Sequence, residues 1–258
     1  MNRCQDNLGA IAIDEQTIAF RMTLLTKAES ENLIHACGEL GVDPSSEHFV
    51  KRTKNIAYVM CLNKKWFQMR ADYFIQPQRY NDFSGGYKRR YREMPATFIA
   101  SKAVQKVLSS FQESCKIPEG ELILVQVQES HIERHDESRC LTGQGIHSDG
   151  ADKAIIVCLK RDNIEGAENA IFQDLDGRHP IISPHVLDEG DALVWEDNKS
   201  FHHVSSASVS DLGENGKRTI LIAHYPAIHY LDGSYNPNNT LGSNVVEVSQ
   251  RLRLHCKV

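Results

Sequence analysis

The sequence predicts an α+β fold in which N-terminal helices precede a jelly-roll-like double sheet. Helical periodicity with capping residues is confined to roughly the first 120 residues, whereas short β-branched runs and turn signals follow from residue 121. No helical stretches separate these runs, which argues against a parallel sheet. We expect one domain over residues 1–258, with a mainly helical part (1–120), a sheet core (121–226) and a C-terminal extension (227–258).

Two segments of the N-terminal part have the pattern of amphipathic helices. The first begins at Thr26-Lys27-Ala28-Glu29, which has the form of a capping box, and should stop near Gly41. Its apolar residues lie at one-face helical spacing: Leu33, Ile34, Cys37 and Leu40. The second is expected near residues 99–112, before Pro118 and Gly120, and it also has an apolar face: Val104, Val107, Leu108 and Phe111.

The remaining elements are predicted strands. Short apolar runs occupy 122–127, 154–159, 170–172, 192–195 and 219–222. Turn sequences lie between them, at Asp176-Gly177 and at Glu189-Gly190-Asp191. Several short strands joined by turns are typical of an antiparallel sandwich or barrel.

Composition excludes several classes of protein. The formal net charge is -5, so no overall basic field attracts nucleic acid or acidic lipid. The sequence has neither an apolar run of membrane-spanning length nor a secretory signal at its polar N-terminus. Seven cysteines at irregular spacing, without a C-x-x-C pair, predict free thiols in a reducing cytoplasm. We therefore expect a cytoplasmic protein without nucleic-acid or membrane partners.

A metal site is predicted around His147 and Asp149. In an extended segment these two side chains point to the same side, so an imidazole nitrogen and a carboxylate oxygen can face one ion. His202, on a later strand, is the expected third ligand, and His203 is the less favoured choice because alternation puts His202 on the face of Val204. Two histidines and one carboxylate leave three positions open, as in Fe(II) oxygenases.

The H-x-[DE] triplet is weak evidence by itself, since chance gives about 1.6 such triplets in a chain of this composition. Two others occur, at His131/Glu133 and His135/Glu137, and we interpret these as exposed loop pairs. The triplet at His147 differs because it is flanked by Gly145 and Gly150 and enters the β-rich region.

Arg218 opens an apolar strand, Thr219-Ile220-Leu221-Ile222. Guanidinium pairs with a carboxylate through two parallel hydrogen bonds, which suits a buried dicarboxylate ligand. A solvent-facing arginine at a strand end is the alternative. Gln126 and Gln128 alternate on another strand, where they contact a ligand or make structural hydrogen bonds.

Taken together, His147-Ser148-Asp149, His202 and Arg218 resemble the H-x-D…H…R pattern of Fe(II)/2-oxoglutarate-dependent dioxygenases. The segments 145–150, 163–166 and 190–197 are similar to those of the bacterial free L-amino acid hydroxylases, in particular the isoleucine 4-hydroxylase-like family. The resemblance spans roughly residues 85–226 and is strong only around these motifs.

The resemblance implies a double-stranded β-helix with N-terminal helices packed on it. It implies that His147, Asp149 and His202 bind Fe(II), and that Arg218 binds the far carboxylate of 2-oxoglutarate. Of the two alternating glutamines, Gln126 is the candidate for cosubstrate binding. The activity implied is O2-dependent hydroxylation of an unactivated aliphatic C–H, with release of succinate and CO2 and with ascorbate as the reductant in vitro. An acidic residue at 149 favours hydroxylation over halogenation.

The substrate implied is a small molecule, a free L-amino acid or a cyclic one such as pipecolate or proline. Its carboxylate needs a cation, for which the basic segment Lys88–Arg92 offers Arg90, with Tyr91 beside it, and Gln128 is a further candidate for substrate binding. Arg89 and Arg92 are further candidates, and a solvated basic face is an equal alternative for the whole segment. Two other functions stay open: the same chemistry on a carrier-bound or peptide substrate, and a cupin-like metal-binding barrel that does not use 2-oxoglutarate.

Overall fold

The computed structural model describes residues 18–46, 50–134 and 138–232. These residues form two α-helices, α1 (Lys27–Ala36) and α2 (Lys102–Ser114), and fifteen strands. In chain order the strands are β1 (Ala19–Thr23), β2 (Lys51–Leu62), β3 (Lys65–Met69), β4 (Tyr73–Phe74), β5 (Arg89–Arg90), β6 (Arg92–Glu93), β7 (Ile123–Ile132), β8 (Lys153–Asp162), β9 (Ile164–Gly166), β10 (Asn169–Phe172), β11 (Pro180–His185), β12 (Asp191–Trp195), β13 (Phe201–Val204), β14 (Ala207–Val209) and β15 (Gly216–Tyr225).

The architecture is a large sheet with a smaller one, consistent with a jelly roll. The large sheet has the strand order β1-β12-β8-β15-β7-β2-β3, all antiparallel, and β6 adds to β2 in parallel. The smaller sheet has the order β11-β10-β13. Two further pairs, β14 with β9 and β4 with β5, complete the pairing of the described strands.

The two faces of the large sheet have different roles because side chains alternate along each strand. On one face, Val125 of β7 and Val157 of β8 share an apolar cluster with Leu33 of α1 and Phe111 of α2. On the other face, alternate residues of β15 line a cavity: Arg218, Ile220, Ile222 and His224. A slip of one residue in β15 would exchange these two sets, so the burial of both faces fixes the register.

The expectation of a mainly helical part over residues 1–120 is wrong for the described residues. Lys51–Leu62 is a strand of the large sheet, hydrogen-bonded to β7 on one side and to β3 on the other. The turn from β2 to β3 places Asn63 and Lys64 at φ 50 and φ 59, which matches a two-residue hairpin. Pairing with distant β7 is a tertiary effect that local periodicity does not show.

The two predicted helices are present, with shifted ends. Helix α1 begins with a capping box: the Glu29 N–H donates to the Thr26 Oγ1 at 3.2 Å, and the Thr26 N–H donates to the Glu29 carboxylate at 2.8 Å. It ends at Ala36, short of Gly41, because Gly38 leaves the helix with φ +66. Helix α2 begins at Lys102 and ends at Ser114.

The five predicted strands overlap β7, β8, β10, β12 and β15. The predicted turn at Gly190 is confirmed by its φ of +93, and an added Cβ would lie 2.0 Å from the Leu25 carbonyl oxygen. Of the expected C-terminal extension, Ala227–Tyr230 form a short 3-10 helix, and residues from 233 lie outside the described part. No helix among the described residues has the length and apolarity needed to cross a membrane.

Candidate active site

A single bridge between β13 and the segment that precedes β8 brings the three predicted metal ligands together. His147 and His202 form an isolated antiparallel bridge, with N···O distances of 3.0 and 2.8 Å between their backbones. Asp149 lies between them: its Oδ1 is 3.8 Å from the His147 Nε2 and its Oδ2 is 3.6 Å from the His202 Nε2. One donor atom from each residue lies within 4.8 Å of the other two, so the three side chains can hold one metal ion.

Both histidines present Nε2 to this point because Nδ1 is engaged elsewhere. The His147 Nδ1 lies 3.0 Å from the Gly145 carbonyl oxygen, and the His202 Nδ1 lies 3.3 Å from the Asp197 carboxylate. Burial lowers the pKa of His147 to about 4, so its imidazole is neutral at pH 7. Burial opposes protonation of His202 as well, but Asp197 and Asp149 outweigh it and raise the pKa of His202.

Two side chains hold the Asp149 carboxylate. Gln76 donates from Nε2 to the Asp149 Oδ1 at 2.9 Å, and the His224 Nε2 lies 3.0 Å from the Asp149 Oδ2. Burial opposes ionisation of this carboxyl, but the hydrogen bond to His224 and the charges of His202 and His224 hold its pKa well below the usual value. Asp149 is therefore an anion with a fixed orientation.

Asp197 holds the residues of the metal motif in place through hydrogen bonds. It is buried, and its Oδ1 accepts from the Trp195 indole N–H at 3.0 Å in addition to facing His202. Its Oδ2 accepts four hydrogen bonds, from the Ser148 hydroxyl and the N–H groups of Asp149, Gly150 and Ala151. One carboxylate thus positions two of the three candidate ligands. Sequence reasoning missed this role, although the residue lies two positions after the predicted strand 192–195.

The triad lies at one part of a cavity that is strongly basic elsewhere. Four cationic side chains line it: Arg52, Lys54, Arg89 and Arg218. Asp149 is the only acidic residue among the described residues that line it. Apolar walls come from both sheets and include Phe74, Ile220 and Val204. An enclosed site with a metal triad and several cations suits ligands that carry carboxylates.

Arg218 reaches the cavity from β15 and is 3% exposed. Its Nη2 is 3.4 Å from the Asn169 Oδ1, and its Nε has no hydrogen-bond partner within the described ranges. Burial lowers the pKa of its guanidinium to about 10, which leaves it charged at pH 7. The alternative of a solvent-facing strand end is thereby excluded.

The two predicted glutamines also face the cavity, as their alternation on β7 requires. Gln126 accepts from the Lys54 ammonium at 3.3 Å, and its Nε2 lies 3.2 Å from the His224 Nδ1. Gln128 donates to the Ser130 hydroxyl at 3.4 Å. Both also have structural partners, so the two interpretations of these residues are not exclusive.

The predicted substrate residues Arg90 and Tyr91 do not line the cavity. The Arg90 side chain is 66% exposed and pairs with Asp72, and Tyr91 is buried with its ring stacked on Phe74 at 5.0 Å. Arg89 lines the cavity instead, because neighbours on the two-residue strand β5 face opposite ways. The expectation that Arg90 lies in the site is therefore wrong, and Arg89 is the arginine of this segment that lines the cavity.

Arg89 is 4% exposed and contacts Gln76, which in turn contacts the candidate metal ligand Asp149. It donates to the Gln76 Oε1 at 3.1 Å, and its guanidinium lies over the Phe74 ring at 4.3 Å. By contrast, Arg92 is half-exposed and pairs with Glu39. His203 borders the cavity but does not belong to the group of candidate metal ligands.

This fold and site define a jelly-roll metalloenzyme that binds acidic ligands. The model of the 2OG-Fe dioxygenase family matches residues 36–224, and the chain belongs to that family. It is a non-haem Fe(II)/2-oxoglutarate-dependent dioxygenase, and its cofactors are Fe(II), 2-oxoglutarate and O2. The alternative of a cupin-like barrel without 2-oxoglutarate is therefore set aside. No curated protein matches the chain in sequence.

Solved structures share the fold at low identity. A bsmA homologue from Methylobium petroleophilum PM1 is 18% identical with a TM-score of 0.64, covering 80% of this chain and 83% of that chain. IDO from Bacillus thuringiensis is 11% identical with a TM-score of 0.61, covering 81% and 90%. The Fe(II)/(alpha)ketoglutarate-dependent dioxygenase TqaL is 14% identical with a TM-score of 0.54, covering 80% and 81%.

Proposed function

We propose that this dioxygenase hydroxylates an unactivated aliphatic C–H of a free L-amino acid or a cyclic amino acid such as pipecolate or proline. The observation that carries the proposal is one basic cavity that holds a His-Asp-His triad and, among its buried cations, Arg218 and Arg89, neither of which has an ionic partner among the described residues. One arginine serves the cosubstrate, and the other serves the carboxylate of the substrate.

The triad fits iron. Two imidazole nitrogens and one carboxylate oxygen are the donor set of Fe(II) oxygenases, and we assign His147, Asp149 and His202 as ligands. When bound, Fe(II) supplies O2 activation coupled to the decarboxylation of 2-oxoglutarate to succinate and CO2. The chain's own contribution is orientation, since Asp197, Gln76 and the Gly145 carbonyl hold the three side chains.

Arg218 is assigned to the far carboxylate of 2-oxoglutarate. A buried guanidinium with an unpaired Nε loses its hydration without a counter-charge from the described protein, and a dicarboxylate restores that charge balance. Asn169 beside it orients the fork, and Gln128 and Ser130 line the same cavity. Gln126 contacts His224, which contacts Asp149, so Gln126 lies on the side of the cavity that contains the metal triad.

Arg89 is assigned to the carboxylate of the amino acid. It contacts Gln76, and Gln76 in turn contacts Asp149, so a carboxylate on Arg89 lies one amide side chain away from a metal ligand. This places the carbon skeleton of a small substrate beside the metal, where binding fixes the attacked carbon by position. Tyr91 supports Phe74, on which Arg89 rests.

The test is succinate release from 2-oxoglutarate under air, with Fe(II) and ascorbate, across the proteinogenic amino acids, pipecolate and proline. We expect one or a few of them to raise succinate release strongly and to give a product heavier by one oxygen atom. An Asp149→Ala variant provides the background rate. Weak release that no amino acid stimulates would contradict the proposal and move the substrate to a carrier-bound or peptide form.

A further inference from the structure

Gln76 lies between the buried Arg89 and the candidate metal ligand Asp149. Its side chain lines the cavity, and the residue is 4% exposed. Its Oε1 accepts from the Arg89 Nη2 at 3.1 Å and from the Asn81 Nδ2 at 3.0 Å. Its Nε2 donates to the Asp149 Oδ1 at 2.9 Å and to the Asp149 carbonyl oxygen at 3.1 Å. Both donor hydrogens and both acceptor positions of this buried amide are therefore used.

The orientation of the Gln76 amide follows from its neighbours. The Arg89 guanidinium offers donors only, whereas the ionised carboxylate and the carbonyl of Asp149 offer acceptors only. The Asn81 amide is itself oriented, because its Oδ1 accepts from the Ser84 N–H at 2.8 Å. A Gln76 amide turned by 180° would place donors against donors on one side and acceptors against acceptors on the other. Asp149 therefore receives an N–H from Gln76 while Arg89 holds the other end of the same amide.

The pairing of β4 with β5 fixes the position of Gln76 relative to Arg89. Phe74 and Arg89 are opposite residues of this pair, and the Arg89 guanidinium lies over the Phe74 ring at 4.3 Å. Gln76 is two residues beyond Phe74, and its carbonyl oxygen accepts from the Gly86 N–H at 2.8 Å, which closes the loop between the two strands. A carboxylate that binds the Arg89 guanidinium therefore acts on the group that orients Gln76.

Hydrogen bonds in series influence one another. A donor at the oxygen of an amide polarises its N–H groups and strengthens the bonds that they donate. The series from Arg89 through Gln76 to Asp149 begins at a charged donor and ends at a charged acceptor, and such bonds are the stronger class. Because outer partners fix the orientation of a metal ligand, a change at Arg89 should alter metal affinity. By linkage, metal binding then alters the affinity of Arg89 for a carboxylate by the same factor.

We propose that Gln76 is a positioning residue that couples carboxylate binding at Arg89 to metal binding at Asp149. This rests on the proposed function, in which Arg89 receives the carboxylate of the amino acid, and it adds a role for a residue that touches neither the metal nor the reacting carbon. Such coupling makes the consumption of 2-oxoglutarate depend on the presence of substrate.

The test is a double-mutant cycle on the anaerobic Mn(II) affinity of the full-length protein, measured for the wild type, Gln76→Leu, Arg89→Met and the double variant. Gln76→Leu should lower the affinity about tenfold or more. Loss of the Arg89 cation also acts on Mn(II) through space, but this Coulombic effect is present with and without Gln76 and cancels in the cycle. We expect the two changes to depart from additivity by about threefold or more.

Lys54→Met provides the matched control. Lys54 is another buried cation of the cavity, but it reaches Asp149 through Gln126 and His224, with successive contacts of 3.3, 3.2 and 3.0 Å. Lys54→Met and Gln76→Leu should therefore be additive within about twofold. Circular dichroism verifies the fold of every variant. Non-additivity as large in this control pair as in the Arg89 pair would overturn the specific link through Gln76.

A second measurement separates positioning from a structural role. With saturating Fe(II) and 2-oxoglutarate, and with the amino acid of the panel that stimulates succinate release most, the ratio of succinate to hydroxylated product is measured. We expect a ratio close to one for the wild type and about a threefold or greater rise for Gln76→Leu, with KM for 2-oxoglutarate unchanged. A structural role would lower the melting temperature and leave this ratio at the wild-type value.

The failures are distinguishable. An additive cycle for Gln76 and Arg89, with a wild-type ratio of succinate to product in Gln76→Leu, would overturn this inference and leave the proposed function intact. Absence of stimulation by every amino acid would overturn the proposed function. The Mn(II) cycle needs no substrate, so it would still decide whether Gln76 couples Arg89 to the metal site.

Discussion

The cavity has a metal part, around His147, Asp149 and His202, and a basic part, around Arg89 and Arg218. The two parts differ in how completely the protein provides hydrogen-bond and ionic partners for its own polar groups. At the metal part, Asp149 and His202 each have defined partners, and Asp197 alone accepts four hydrogen bonds through one oxygen. At the basic part, Arg218 and Arg89 are buried without an ionic partner among the described residues. The ligands of the metal part are held by outer partners, whereas two arginines of the basic part have no counter-charge among the described residues.

The metal part is therefore preorganised by the protein, whereas the basic part depends on a ligand for its counter-charges. Ligands held by outer partners meet a metal with little reorganisation, so the fold determines the geometry of the metal part. Buried cations without counter-charges are costly, and they persist where a ligand supplies the missing charge. Variants in the metal part should therefore affect metal binding, and variants in the basic part should affect the affinity for organic acids.

The largest effect is expected from removing a candidate ligand. His147→Ala or Asp149→Ala should lower Fe(II) affinity by more than about 100-fold and abolish turnover, since loss of an outer partner alone costs about 10–100-fold. Anaerobic metal titration measures the affinity, and circular dichroism verifies the fold. His203→Ala is the control and should bind Fe(II) normally. Loss of binding in His203→Ala with retention in His202→Ala would reverse the ligand assignment.

Arg218→Ala should have the next largest effect, on the cosubstrate alone. Hydrogen bonds to a charged group contribute about 3 kcal/mol, so KM for 2-oxoglutarate should rise about 100-fold at 1.4 kcal/mol per tenfold. Fe(II) affinity should stay at the wild-type value because the metal part does not involve this residue. Arg218→Lys should recover part of the loss. An unchanged KM would show that another cation binds 2-oxoglutarate.

Asp197→Asn tests whether the metal part depends on its outer carboxylate. The amide keeps the shape of the side chain but removes the negative charge beside His202, and it replaces one acceptor oxygen with an NH2 donor. We therefore expect about a 10–100-fold loss of Fe(II) affinity. Ser148→Ala is the matched control, because it removes an uncharged hydrogen-bond donor to Asp197 and leaves the carboxylate in place. A lower melting temperature with normal Fe(II) affinity would indicate a purely structural role for Asp197.

Neighbouring arginines on β5 provide a finer test of the basic part. Arg89→Gln should raise KM for the amino acid substrate about tenfold or more, as expected for loss of a charged hydrogen bond. Arg90→Gln should change it by less than about twofold, because an exposed ion pair contributes little. Steady-state kinetics at saturating 2-oxoglutarate measures both. Equal effects of the two variants would contradict the inward orientation of Arg89.

The smallest expected effect is a pH dependence. Burial lowers the pKa of Lys54 to about 8, partly offset by Asp43, so the ammonium is charged below this pH and neutral above it. Anion binding should therefore be fully present near pH 7 and decrease about three- to tenfold towards pH 9. The charged or titratable neighbours are Asp43, Arg52, Arg89, Tyr91 and Asp149.

Among these neighbours, Asp43 has a pKa of about 2 and Asp149 has a pKa well below its usual value, while burial raises the pKa of Tyr91. None of these three titrates between pH 7 and 9. The decrease in kcat/KM of the amino acid substrate should disappear in Lys54→Gln. A profile with the same slope in that variant would assign the titration to another group.

The sequence predicted the parts of the site that follow from local spacing. His147 and Asp149 are two apart in an extended segment, and Arg218 lies in phase with Ile220, Ile222 and His224 on one strand, so alternation is enough to orient them. Arg89 and Arg90 form a strand of two residues, whose phase cannot be read without knowing its partner β4.

The residues that sequence reasoning missed come from separate elements that only the topology joins. Gln76 lies between β4 and β5, Lys54 lies on β2 and His224 lies near the end of β15, yet they meet around Asp149 and Gln126. The same limit explains the failed helical expectation, since β2 is a strand through its pairing with β7, about 70 residues away in sequence.

The most direct test of this account is a crystal structure of the protein with Mn(II) in place of Fe(II) and with 2-oxoglutarate. We predict the metal on the His147 Nε2, the His202 Nε2 and an Asp149 carboxylate oxygen, and the far carboxylate of 2-oxoglutarate on the Arg218 guanidinium, with Arg89 and Lys54 left free of it. A metal bound by His203, or a far carboxylate bound by Arg89 or Lys54, would contradict the division of the cavity into these two parts.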